Sequence, residues 1–371
     1  MFPDLKSRAY LISNATDIRY LTGFIGAEPD AHEVYLLIYR ATCYLFTNSL
    51  YLERANRIKF TLPAGIKKYP VETVQISRVR PLWQELKSVC KTGGIQTVEF
   101  EPRDLSVSEY SDLKNHIRQV KFRPFKDDIG KYRSIKTDPE INSIRIAVAI
   151  TDLCYDYIAA NIKPGITEAK LAAMIDLFLR RHHAKPAFDP IVAFGTHTSQ
   201  PHYIPGSTKL SKNTLILCDF GASFNGYASD MTRMFHIGKI PGDIQKAYQT
   251  VLNAQEKAIG MLTTCSKPCY LKKDNSFSGA CLDRAAKNYI KKSGYTPYSH
   301  SLGHGMGLSI HEYPRLTIHQ DMKIRPGMVF SLEPGIYEPG QFGIRIEDTV
   351  YFSDLGLEIL TKSSKELAII S

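Results

Sequence analysis

Cysteine is sparse, and the seven present are odd in number and scattered through 371 residues. That pattern predicts reduced thiols in a cytoplasmic protein, not a disulfide framework. Long apolar runs are missing: nowhere do eighteen apolar residues follow one another, which argues against a membrane-spanning helix. Asp4, Lys6 and Arg8 interrupt the first fourteen residues, so no signal peptide is expected there. Blocks of one charge are absent too. The net charge of +10 is spread along the chain, and no basic arm or stripe points to nucleic acid. With 43% apolar and 23% charged residues, disorder and low complexity are excluded.

At roughly 150 residues per domain, this length predicts two domains with full cores. Residues 1–125 alternate β-rich runs (Val34–Tyr39, Cys43–Thr47, Ile95–Phe100) with helical spacing over Ser49–Lys59 and Pro81–Cys90. That is the pattern of a layered α/β domain. A charged stretch with Pro124 and Gly130 follows, giving a linker at 126–134. Residues 135–371 open with two long helices, Asp138–Asn161 and Thr167–His182. Asp138 is the expected N-cap of the first, with Pro139 behind it. From Phe188 onward, short strand-like runs punctuated by Gly and Pro predict an antiparallel sheet, with helices near Asp243–Met261 and Leu282–Ser293. The whole reads as α+β.

Three segments carry chemistry. In the first, Asn225-Gly226 between β-rich runs signals a two-residue type I′ hairpin. Position 219 then faces 232 and 230 faces 221, so Asp219 and Asp230 become diagonal neighbours on one face. Alone, two such aspartates are ordinary turn residues. Inside a sheet core they need a cation. In the second segment, a hairpin centred on Gly340 sets Glu333 opposite Glu347, and like charges in that position destabilise a sheet. The third segment, His300-Ser-Leu-Gly-His304-Gly-Met-Gly-Leu-Ser-Ile-His311, surrounds a histidine with glycines that permit close backbone approach. Four carboxylates with one imidazole suit Mn²⁺, Co²⁺ or Zn²⁺. Two such ions about 3.5–4 Å apart would activate water for hydrolysis.

These five residues, in this order and with these neighbours, resemble the ligand set of the creatinase/methionine aminopeptidase ("pita-bread") metallopeptidases, family M24. The resemblance is to the aminopeptidase P and prolidase branch. Asp17-Ile-Arg-Tyr-Leu-Thr-Gly-Phe and Val98-Glu-Phe-Glu resemble the creatinase N-terminal domain, so the likeness runs over nearly the whole chain. It implies a C-terminal pita-bread catalytic domain preceded by a smaller α/β creatinase-like domain. It implies Asp219, Asp230, His304, Glu333 and Glu347 as ligands to two divalent ions, Mn²⁺ first, with Asp230 and Glu347 bridging. Glu333 would carry a proton to the leaving amine, with His202 and His311 as catalytic partners. His202, His300, His311 and Arg345 would contact or orient the substrate. Tyr203 departs from a second histidine common among relatives. The Thr263–Cys281 stretch, with Cys265, Cys269 and Cys281, is longer than in compact relatives; its cysteines read as chance thiols, not a zinc site.

The implied activity is hydrolysis of the bond between an N-terminal residue and a following proline. Peptides with proline second are the expected partners, together with a second copy of the chain in a homodimer or larger homo-oligomer. Aminopeptidase is preferred to Xaa-Pro dipeptidase (prolidase), because the sequence does not reveal the basic group a dipeptidase needs for its substrate's carboxylate. A catalytically inactive peptide-binding relative is the remote alternative.

Overall fold

The structure, a computed structural model, describes residues 8–26, 32–40, 42–57, 70–126, 128–265 and 269–370. The chain divides into two compact units, Met1–Tyr132 and Arg133–Ser371.

The first unit is built on a six-stranded sheet. Its strand order is Val71–Gln75, Thr42–Thr47, Val34–Tyr39, Ala9–Ile12, Thr97–Phe100 and Lys121–Pro124. Ala9–Ile12 pairs antiparallel with Val34–Tyr39 and parallel with Thr97–Phe100. Its residues alternate between two apolar clusters: Ala9 and Leu11 pack in one, Tyr10 and Ile12 in the other. A strand covered on both faces is expected to be apolar throughout, and these four residues are. The helix expected over Ser49–Lys59 forms at Leu52–Asn56, and its last two expected residues lie outside the described residues. The helix expected over Pro81–Cys90 runs Leu82–Gly93. Within the stretch read as a linker, Ile129–Arg133 forms one short helix.

In the second unit the first helix spans Asp138–Asn161 as expected, but Thr137 is its N-cap, not Asp138. Glu140 Oε2 accepts from Thr137 N at 2.8 Å, which moves the boundary one residue earlier. The second helix is Glu168–Arg181, capped by the Thr167 side chain. A four-stranded sheet follows in the order Ala368–Ile370, Met231–Ile237, Leu215–Phe220, Ile191–Phe194. Ala368–Ile370 joins it in parallel, where an all-antiparallel sheet was expected. A six-stranded antiparallel sheet includes Gly303–Gly305, Glu312–Thr317, Met328–Leu332 and Asp348–Ser353. The helix Gly242–Thr263 lays Ala247, Val251, Ala254 and Ala258 into the largest apolar cluster of this unit. Among the described residues no helix is long and apolar enough to cross a membrane.

The Thr263–Cys281 stretch folds into a small sheet edge, Tyr270–Leu271 against Ser276–Ser278. Cys269 and Cys281 are joined as a disulfide, with Cα atoms 5.3 Å apart. This corrects the expectation of wholly reduced thiols and removes the cysteine argument for a reducing compartment. Cysteine parity says nothing of geometry. Here a tight hairpin returns the chain to the start of the Gly279–Lys292 helix and brings two thiols within bonding range.

Candidate metal centre

Two hairpins carry the four carboxylates, and both pair as their turns predict. Asn225 and Gly226 have positive φ (49° and 81°), and Phe224 faces Tyr227 across a two-residue loop. Asp219 then faces Thr232. The second hairpin pairs Gly335 with Arg345, and its parent ladder pairs Leu332 with Asp348. Glu333 and Glu347 lie in the gap between these two ladders, in the same register. Glu333 N donates instead to Leu302 O (2.8 Å) and Glu347 N to Thr232 O (3.3 Å). The first hairpin has a matching gap: Asp230 N donates to Thr349 Oγ1 at 3.1 Å.

His304 sits on Gly303–Gly305, in a space only glycines permit. A Cβ on Gly303 would lie 1.9 Å from Ser331 O, and one on Gly305 would lie 2.0 Å from Tyr313 O. Its Nδ1 donates to Gly305 O (3.2 Å), leaving Nε2 as the lone-pair nitrogen. That nitrogen faces Asp230 Oδ2 and Glu333 Oε1, each at 3.5 Å. Burial, then the nearby His311, pushes the His304 pKa down to about 3.

A neutral imidazole lone pair facing two carboxylate oxygens is repulsive unless a cation lies among them. The carboxylates show the same need. Asp219 Oδ1, Asp230 Oδ1 and Glu347 Oε1 are buried and have no hydrogen-bond partner among the described residues. Ligand atoms of Asp230, His304 and Glu347 lie within 4.8 Å of one another. Burial, then repulsion by Glu347, raises the Asp230 pKa. Burial, then repulsion by Glu333, raises that of Glu347. Burial also raises Glu333, to about 7, against the pull of Arg345. These donors fit divalent cations.

Arg345 ties the centre together. Its guanidinium donates to Asp219 Oδ2 (2.6 Å), Thr232 Oγ1 (3.0 Å), Tyr337 OH (2.9 Å) and Pro201 O (3.3 Å). Thr232 Oγ1 in turn donates to Glu347 Oε2 (2.7 Å). Tyr337 OH lies 3.0 Å from His300 Nε2, so one chain of polar contacts runs Asp219–Arg345–Tyr337–His300. Burial, then Arg345, lowers the His300 pKa to about 4. His311 is exposed, with its ring edge-on to His304 at 4.4 Å.

His202 is exposed on the loop after Gly195–Ser199, beside the Pro201 carbonyl that Arg345 holds. Glu168, fully buried, anchors this loop. It accepts from Phe194 N (2.9 Å), Tyr203 OH (2.9 Å) and Gly206 N (3.2 Å), and its Oε1 lies 2.8 Å from His197 Nδ1. Tyr203 is thus an anchor of the His202 loop.

Sequence reasoning missed Tyr337, Thr232 and Arg315. Thr232 was detectable as the residue facing Asp219. Arg315 lies across the ladder from His304. It is exposed, and its charge acts on both His304 and His311.

A buried carboxylate–histidine cluster on two paired hairpins, in this fold, defines a pita-bread metal-dependent hydrolase. Residues 142–354 match the metallopeptidase family M24, and residues 3–135 match the creatinase/prolidase N-terminal domain; the chain belongs to family M24. It is 35% identical to an Xaa-Pro dipeptidase of Pyrococcus furiosus, over 84% of each chain. The solved Xaa-Pro dipeptidase from Bacillus anthracis superposes with a TM-score of 0.85 at 32% identity, covering 97% of this chain and 94% of that one. The X-Pro aminopeptidase from Thermotoga maritima superposes at 0.83 with 29% identity, covering 98% and 97%.

Proposed function

We propose that this protein hydrolyses the peptide bond between an N-terminal residue and a following proline, using two divalent cations held by Asp219, Asp230, His304, Glu333 and Glu347. The observation that carries this is the grouping of Asp230, His304 and Glu347 ligand atoms within 4.8 Å of one another, beside buried carboxylate oxygens of Asp219, Asp230 and Glu347 that have no hydrogen-bond partner among the described residues. The oxygen-rich donor set favours Mn²⁺. Such cations supply Lewis acidity at the scissile carbonyl and lower the pKa of water. The chain's own residues do the rest. Glu333, whose Oε1 lies 3.5 Å from His304 Nε2 at the centre of the cluster, takes the proton from the attacking water and returns it to the leaving proline nitrogen. His311 donates to the carbonyl oxygen as negative charge develops there. His202 and His300 contact the bound peptide. The choice of proline is supported by the relatives, whose names are proline-directed.

Those relatives include both dipeptidases and an aminopeptidase. Arg315 favours the dipeptidase. Its exposed guanidinium, on the strand facing His304, makes no ion pair among the described residues and is available to a substrate's free carboxylate. A time course with Mn²⁺-loaded enzyme on matched Xaa-Pro and Xaa-Pro-Xaa peptides, with a chelated control, tests both points. Cleavage of the dipeptide alone supports the dipeptidase reading. Cleavage of the tripeptide supports the aminopeptidase. Failure on both with Mn²⁺, Co²⁺ and Zn²⁺ removes the proline assignment.

A further inference from the structure

We propose that Gln255 is a positioning residue that sets the spacing of Glu333 and Glu347, and with it the affinity of the centre for its cations; this rests on the metal-binding reading above. Gln255 lies on the Gly242–Thr263 helix, which contributes no ligand, and it is fully buried. Its Nε2 donates to two carbonyls, Leu332 O at 2.9 Å and Ile346 O at 3.2 Å. Leu332 immediately precedes Glu333, and Ile346 immediately precedes Glu347.

These two carbonyls stand at the gap in the second ligand hairpin. On one side of it Leu332 pairs with Asp348; on the other Gly335 pairs with Arg345. Between them the backbone N–H groups of both glutamates turn to other partners, Leu302 and Thr232. Where the two ligands must be held apart and in register, the backbone offers one long cross-strand bond, Ile346 N to Pro334 O at 3.5 Å. The primary amide of Gln255 spans the same gap with two shorter ones. Its orientation is fixed, because Lys365 Nζ donates to Oε1 at 3.2 Å and so commits both Nε2 hydrogens to the carbonyls.

The first ligand hairpin has a comparable device. Ala222 N, just past its gap, donates to Thr151 Oγ1 on the Asp138–Asn161 helix at 3.0 Å. Each ligand hairpin thus has a helical side chain inserted where its ladder opens. At the second hairpin that side chain reaches both ligand-bearing strands.

The test is metal affinity, measured on the full chain after chelation and dialysis, by competition between the protein and a chromophoric chelator for Mn²⁺. Gln255→Leu keeps the volume and removes both donors. It should weaken Mn²⁺ binding by about tenfold or more, the usual effect of losing a residue that orients a ligand. Val251→Ala, one turn away on the same helix in the apolar core, is the stability control, and its affinity should stay within about twofold of wild type. If Gln255→Leu is not recovered folded, Gln255→Asn carries the test. It retains the amide but is one methylene too short to span both carbonyls, so a several-fold loss is expected. A Gln255 variant that binds Mn²⁺ no more weakly than Val251→Ala overturns the proposal. Wild-type protein that binds none of Mn²⁺, Co²⁺ and Zn²⁺ overturns the metal-binding reading and this inference with it. That result is seen before any variant is made, so the two failures are distinguishable.

Discussion

Arg345 grips one oxygen of Asp219: Nη2 donates to Oδ2 at 2.6 Å, while the buried Oδ1 has no hydrogen-bond partner among the described residues. The arginine thereby orients the carboxylate and leaves one oxygen for a cation. Lysine has a single nitrogen and cannot reach the four acceptors that the guanidinium fork serves. Arg345→Lys should lower kcat by about 10–100-fold and weaken Mn²⁺ binding. Steady-state kinetics with a metal titration check this, and unchanged values for both would remove the role.

Asp230 faces Glu347 in a buried, like-charged cluster. Asp230→Asn should abolish turnover yet leave the metal-free protein at least as stable as wild type at neutral pH, because a buried carboxyl whose ionised form the fold disfavours is gone. Mn²⁺ should raise the Tm of wild type and not that of the variant. Thermal melts with and without Mn²⁺ read both effects. Wild-type-like turnover in metal-replete Asp230→Asn would sink the ligand assignment, and so would activity that survives exhaustive chelation of wild type.

Arg315, across the ladder from His304, is a cation without an ion pair among the described residues. If it holds a terminal carboxylate, Arg315→Gln should raise KM for an Xaa-Pro dipeptide by about tenfold, the loss expected for one charge-assisted hydrogen bond. Cleavage of a C-terminally amidated substrate should change little. Equal effects on the two substrates would place the arginine elsewhere in the reaction.

In the first unit Glu101 Oε2 accepts from Ser13 N (2.8 Å) and Asn14 N (2.9 Å). Burial, then the charge of Asp17, raises its pKa to about 9. The unfolded chain loses this proton near pH 4.3. Between about pH 4.5 and 9 the folded state therefore binds more protons than the unfolded state, and the contribution of Glu101 to stability falls as pH rises. Glu101→Gln should flatten this slope. Hydrogen exchange at the Ala9–Ile12 amides, followed from pH 5 to 9, would show it; an identical slope in the variant would refute it.

The Cys269–Cys281 bond closes a short loop with a separation of 12 residues. Loop-closure entropy sets its contribution at about 3 kcal/mol at most. Cys281→Ser should lower Tm by several degrees, and a reducing agent should do the same to wild type and nothing further to the variant. An unshifted Tm in both cases would contradict the pairing.

Much of this centre was legible because strand geometry is discrete. Asn225-Gly226 fixes a two-residue turn, and the period of two then places Asp219, Asp230 and Thr232 without reference to the rest of the molecule. Gly340 does the same for Glu333 and Glu347. What remained hidden arises from contacts between distant segments. Gln255 looks like any polar residue on an amphipathic helix until two carbonyls more than seventy positions away arrive beside it. Glu168 reads as an ordinary first-turn acid, yet it is fully buried under the loop bearing His202. Thr137, not Asp138, is the N-cap because its backbone N–H donates to the Glu140 side chain, a pairing that spacing alone does not resolve. The disulfide depends on the pairing of Tyr270–Leu271 with Ser276–Ser278, for which the Thr263–Cys281 stretch carries no strong turn signal.

The tip of the second ligand hairpin, Pro339-Gly340-Gln341, is exposed, and a Cβ on Gly340 would meet nothing within 4 Å. The ligands lie at the far end of the same strands, where register and not loop length decides their position. The tip is therefore a natural graft point: a peptide tag or a small reporter domain spliced there would leave the carboxylates where they are. Deleting a single residue from Gly335–Glu338 would instead turn alternate side chains to the opposite face. One hairpin thus contains both a permissive site for engineering and, a few residues away, one of the least forgiving.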